Sequence, residues 1–82
     1  MAMTESEIYA ALEDIFHQVL ENPSIKLGPQ TTADDVEGWD SMNHVFIAVE
    51  IERRFNIKLQ AAEMEELKNV GEMVAAIQKK QA

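Results

Sequence analysis

Apolar side chains recur at offsets of three and four in three separate stretches of this 82-residue chain, a spacing that lines up on one surface only if the chain is helical. Ile8, Leu12, Ile15, Phe16 and Val19 mark the first stretch and predict a helix from about Thr4 to Leu20. Thr4 followed three residues later by Glu7 is a capping-box pattern, in which each side chain satisfies the other residue's free backbone N–H. Asn22-Pro23 predicts its end, because proline disfavours helical geometry at the residue before it. Val70, Met73, Val74 and Ile77 predict a last helix from about Val70 to Lys80. Asn69 and Glu72 form a second capping-box pattern there, and Lys79 and Lys80 complement the negative end of its dipole.

The middle stretch has more apolar surface than one helix face can hold. A helix starting at Asp40-Ser41 and running to about Phe55 places Ile47, Ala48, Ile51 and Phe55 on one stripe. Met42, Val45, Phe46 and Val49 form an opposed stripe, with Asn43, Glu50 and Glu52 between the two. A small bundle uses one stripe for its core; the other is surplus, and it lies within a turn or two of Ser41. Residues 21–40 read as a long connection punctuated by Pro23, Gly28, Pro29 and Gly38, with Ile25, Leu27, Val36 and Trp39 as candidate apolar pins. Ile57-Lys58-Leu59 resembles an extended connector with Ile57 and Leu59 turned inward, and residues 61–67 predict a short helix through Ala62, Met64 and Leu67. The expected fold is all-α: a small four-helix bundle of three main helices and a short third, with a long loop between the first two, in a single domain over residues 1–82. A chain of this length has room for one modest core.

Charge and composition narrow the chemistry. The formal net charge is −8, with residues 1–22 at −5, residues 23–40 at −3 and residues 41–60 at +1. No basic face can be assembled from seven scattered cations, so nucleic acid is excluded as a partner, and basic patches on other proteins are the expected electrostatic match. No apolar run approaches ~20 residues, so stable membrane insertion is not expected and the chain reads as soluble and cytoplasmic. Cysteine is absent, which removes disulfides, thiolate ligands and a cysteine nucleophile together. Any thiol chemistry must use an imported thiol. His17 and His44 show no metal-ligand spacing and read as surface or boundary residues; no metal site is expected. Asp34 and Asp35 read as solvated or capping residues, and Glu63, Glu65 and Glu66 as a wet helix face, so no catalytic residue is assigned.

Ser41 admits two readings. Asp and Ser are common helix caps, so Asp40-Ser41-Met42 alone is explained by structure. The same position also presents a hydroxyl beside free backbone N–H groups and a positive dipole end, where a phosphate ester is electrostatically favoured.

The run Asp34-Asp35-Val36-Glu37-Gly38-Trp39-Asp40-Ser41-Met42 resembles the segment in which acyl carrier proteins present a modified serine. Val45, Ile47, Val49, Ile51, Glu52, Phe55, Ile57 and Leu59 recur at the spacing of that family's second helix and following turn. With the short helix around Glu63 to Leu67 and the last from Val70, the resemblance spans essentially the whole chain. Trp39 before Asp40-Ser41 resembles the stand-alone bacterial carriers outside core fatty acid synthesis.

The resemblance implies that Ser41 receives 4'-phosphopantetheine from coenzyme A through a separate, magnesium-dependent phosphopantetheinyl transferase. Acyl intermediates of fatty acid, polyketide or related biosynthesis would ride on that arm as thioesters, and the chain itself would not be an enzyme. Asp40 would assist recognition by the transferase, with Asp40 and Met42 flanking the attachment point. Met42, Val45, Phe46 and Val49 would dock acyl-activating and acyl-transferring enzymes, and a monomer is the expected state. Met64 is either core or the lining of a cleft for the acyl chain, grouped with the partner-facing residues. One departure stands out: the second helix carries Glu50 and Glu52 against Arg53 and Arg54, and is close to neutral where many carriers are strongly acidic. Two alternatives remain at this point, an aminoacyl or peptidyl carrier serving a ligase, and an unmodified helical interaction module in which Ser41 only caps.

Overall fold

The structure, a computed structural model, describes residues 3–81. Four helices follow one another, α1 (Glu5–Leu20), α2 (Ser41–Phe55), α3 (Ala61–Glu66) and α4 (Val70–Gln81), and no strand occurs among the described residues. The predicted all-α bundle is the observed one.

Helix α1 starts as its sequence predicts, with Glu7 N donating to Thr4 Oγ1 at 3.2 Å and Thr4 N to Glu7 Oε1 at 2.8 Å. It ends earlier than Pro23 alone would require, at Glu21, which turns left-handed (φ 53°) and donates its N–H to the His17 carbonyl. Asn56 closes α2 in the same conformation (φ 54°), and Ile57 N reaches back to the Glu52 carbonyl at 3.2 Å. The second predicted capping box is only half formed. Glu72 N donates to Asn69 Oδ1 at 2.8 Å, but the Glu72 carboxylate accepts from Lys68 N at 2.9 Å instead of Asn69 N.

The core joins Ile8, Leu12, Ile15 and Phe16 of α1 to Ile47, Ile51 and Phe55 of α2 and to Val70, Met73, Val74 and Ile77 of α4. Val19, Ala48, Ile57, Leu59 and Leu67 pack against it only partly buried. No helix among the described residues is long and apolar enough to cross a membrane.

The long connection over residues 21–40 is ordered by specific ties. Ile25, Val36 and Trp39 are buried pins, while Leu27 is only partly so; its N–H donates to Glu13 Oε2 at 2.9 Å. His17 Nε2 donates to the Ile25 carbonyl at 2.8 Å. Val70 N and Gly71 N, which start α4 and have no partner within their own helix, donate to the Thr31 and Pro29 carbonyls at 2.9 and 3.0 Å. Within the connection, Ala33–Asp35 forms one 3₁₀ turn that the sequence does not signal by period. The Asp35 carboxylate caps it, accepting from Thr32 N at 3.0 Å and Thr32 Oγ1 at 3.2 Å.

Candidate functional site

The start of α2 is built by the residues just before it. Gly38 sits at φ 89°, a left-handed conformation that side chains rarely adopt, and its carbonyl accepts from Asp40 N at 3.0 Å and from Asn43 Nδ2 at 2.7 Å. Trp39 then turns into the core, where its ring meets Phe16 edge-on with centroids 4.8 Å apart. Asp40 caps the helix: its Oδ1 accepts from Asn43 N at 2.8 Å. The structural role that Ser41 could have filled is therefore taken by its neighbour. Ser41 itself is exposed, at the first helical position, and its hydroxyl makes no hydrogen bond among the described residues.

Two surfaces meet at this serine. The first is the outer face of α2, where Met42 is 69 % exposed, Val45 60 %, Phe46 52 % and Val49 45 %. The second is a cleft of about 920 Å³ that begins at Asp34, Asp40 and Ser41 and runs between α2 and α3. Val45, Ala48 and Val49 line its α2 side, Met64 and Leu67 its α3 side, with Leu59 contributed by the connector. Exposed Asp34, Glu37 and Asp40 make the serine end acidic, and Arg53 and Arg54 stand exposed at the other end of α2.

Met64 departs from its expected grouping with partner-facing residues. It is only 4 % exposed, so it packs in the core and gives the cleft a wall; a protein surface cannot reach its side chain. Met42, Val45, Phe46 and Val49 lie where the opposed-stripe reading puts them. His44 is the residue that sequence reasoning undervalued. It is half-buried, lines the cleft, and hydrogen-bonds to the Trp39 ring on one side and the Met64 carbonyl on the other.

A family model described as a phosphopantetheine attachment site matches residues 10–77, a span that includes the whole of α2. The chain belongs to the acyl carrier protein family. It is 36 % identical over 83 residues to an acyl carrier protein of Rhodococcus erythropolis, covering 100 % of this chain and 90 % of that one. It is 34 % identical over 79 residues to the meromycolate extension acyl carrier protein of Mycolicibacterium smegmatis, covering 96 % of this chain and 80 % of the relative. The solution structure of a holo acyl carrier protein from Geobacter metallireducens superposes with a TM-score of 0.81 at 39 % identity, over 88 % of this chain and 83 % of that one.

Members of this family are carriers and not enzymes, and they hold 4'-phosphopantetheine covalently. The start of α2 fits such a group. An uncommitted hydroxyl stands in solvent beside the amides that open a helix, where an anionic ester meets a positive dipole end. When bound, the group supplies the thiol that a chain without cysteine lacks.

Proposed function

We propose that Ser41 carries the 4'-phosphopantetheine arm, that acyl intermediates ride on it as thioesters, and that residues 1–82 act as one carrier domain. The observation that supports this most directly is the division of labour between Asp40, which caps α2, and Ser41, whose hydroxyl is exposed and unbonded. A phosphopantetheinyl transferase, drawing the arm from coenzyme A, is one partner; acyl-activating and acyl-transferring enzymes are the others. Attachment forms a bond from Ser41 Oγ to phosphorus and releases the nucleotide half of coenzyme A, with the hydroxyl proton passing to the transferase. Asp40 fixes the first turn so that this oxygen points outward, and the stripe of Met42, Val45, Phe46 and Val49 gives partner enzymes an apolar surface beside it. Tethering then raises the cargo's concentration at a docked partner without any new contact.

An acyl cargo is favoured over an aminoacyl or peptidyl one by two observations. The relatives are named as acyl carriers, one of them for meromycolate extension, and the cleft opening at Ser41 has apolar side chains from α2, α3 and the connector. A cytoplasmic carrier in fatty acid, polyketide or related biosynthesis accords with this.

Incubation with coenzyme A and a phosphopantetheinyl transferase should add the mass of the arm to the native chain and nothing to Ser41→Ala. Because Asp40 is the cap, Ser41→Ala should keep its helical circular dichroism. A native chain that stays unmodified with a competent transferase, or a Ser41→Ala chain that gains the arm, would overturn the assignment.

A further inference from the structure

His44 is joined on both sides. Trp39 Nε1 can only donate, and it lies 2.9 Å from His44 Nδ1, so that ring nitrogen is the acceptor. Nε2 therefore bears the hydrogen and donates it to the Met64 carbonyl at 3.2 Å. The two rings lie edge to edge and nearly coplanar, at 24° to each other with centroids 5.9 Å apart, so the bond between ring nitrogens fixes the orientation of the imidazole. A chain of two hydrogen bonds thus runs from the loop before Ser41, through α2, to the last turn of α3.

The far end of this chain is the shortest α-helix of the bundle. Helix α3 spans six residues, Ala61–Glu66, too few to be stable by local bonding. Met64 is the buried side chain among those described in α3, and its carbonyl is among those at the helix end that have no partner inside the helix. That carbonyl accepts from His44 and from Leu67 N, the latter at 3.2 Å. Since α2 and α3 are the two long walls of the cleft, the bond between them sets how far apart the walls stand.

We propose that His44 is a latch between α2 and α3, held in register by Trp39, whose release widens the cleft beside Ser41 and admits the tethered chain. His44 is a positioning residue: it acts on the cargo's resting place by holding α3. The inference about cargo rests on Ser41 being the attachment point; the latch itself does not.

Hydrogen exchange on the unmodified chain tests the latch alone. In His44→Ala, the amides of Met64 and Leu67, which bond to the Gln60 and Met64 carbonyls, should exchange about five-fold faster or more, as expected for loss of one hydrogen bond. Amides of Leu12, Phe16, Val74 and Ile77 should keep their native rates. Trp39→Phe, which keeps a ring but removes the donor, should move the same α3 amides in the same direction. Unchanged α3 exchange in His44→Ala, or an equal rise in all four helices, would overturn the latch. The cargo half is tested on octanoyl-loaded holo protein: loading should shift the methyl resonances of Val49, Leu59 and Leu67 more in His44→Ala than in the native chain. Equal shifts in the two would overturn admission by the latch. Failure of the native chain to accept the arm at all would instead overturn the Ser41 assignment and leave the exchange result standing.

Discussion

A glycine within a helix is ordinarily a weakness, up to about 1 kcal/mol worse than alanine in the helix interior. Gly71 of α4 is the exception, because a Cβ there would stand 2.7 Å from the Pro29 carbonyl oxygen, which is also the acceptor of the Gly71 N–H at 3.0 Å. Gly71→Ala should therefore lower stability by roughly 1–3 kcal/mol, against the helix-propensity expectation, because it pushes the long connection off α4. Thermal unfolding decides the sign. The same scale separates Asp40 from Ser41. Both are cap-forming types, and only the Asp40 carboxylate, 2.8 Å from Asn43 N, fills the role, leaving its neighbour's hydroxyl free.

At the scale of elements, α2 has two apolar faces with different work. Ile47, Ile51 and Phe55 are buried, while Met42, Val45, Phe46 and Val49 stand in solvent. Val45→Asp should leave Tm within about 4 °C of native, as surface substitutions do. It should slow modification or loading by roughly five-fold or more, the equivalent of about 1 kcal/mol of docking contact. A large loss of Tm with normal loading would show that Val45 serves the fold. Helix α3 depends on few ties, one of which is acid-sensitive. Glu63 is held below its ordinary 4.5, first by the Lys80 ammonium at 2.9 Å and next by the Gln60 N–H. A lowered folded value means that this tie is fully present above the ordinary value and is lost as pH falls through the folded one. Acidification from about pH 5 to about pH 3 should then move the Gln60 amide resonance in the native chain, and Glu63→Gln should abolish that part of the change.

For the molecule as a whole, one core serves all four helices, so a fault at its centre is not local. Ile51 is fully buried in that core. Ile51→Asp would place an unpaired charge there at a cost of several kcal/mol, comparable with the roughly 5–15 kcal/mol that holds such a domain together. The variant should lose its cooperative thermal transition, in contrast to Val45→Asp. Much of this architecture was legible in the linear pattern. The inner faces of α1, α2 and α4, the Thr4 box and the start of α2 at Ser41 each follow from relations between residues three or four apart, and a helix fixes such relations locally. His44 could have been found the same way: at ~100° per residue it falls between Ile51 and Phe55 on the inward side. The family was legible too, from the run around Asp40-Ser41. What the chain order could not specify was every relation between distant residues. Met64 goes inward to become a wall, the long connection satisfies the first amides of α4, and Trp39 reaches Met64 through His44. These depend on which groups the packed helices bring within about 3 Å of one another, and that proximity exists only once the core has formed.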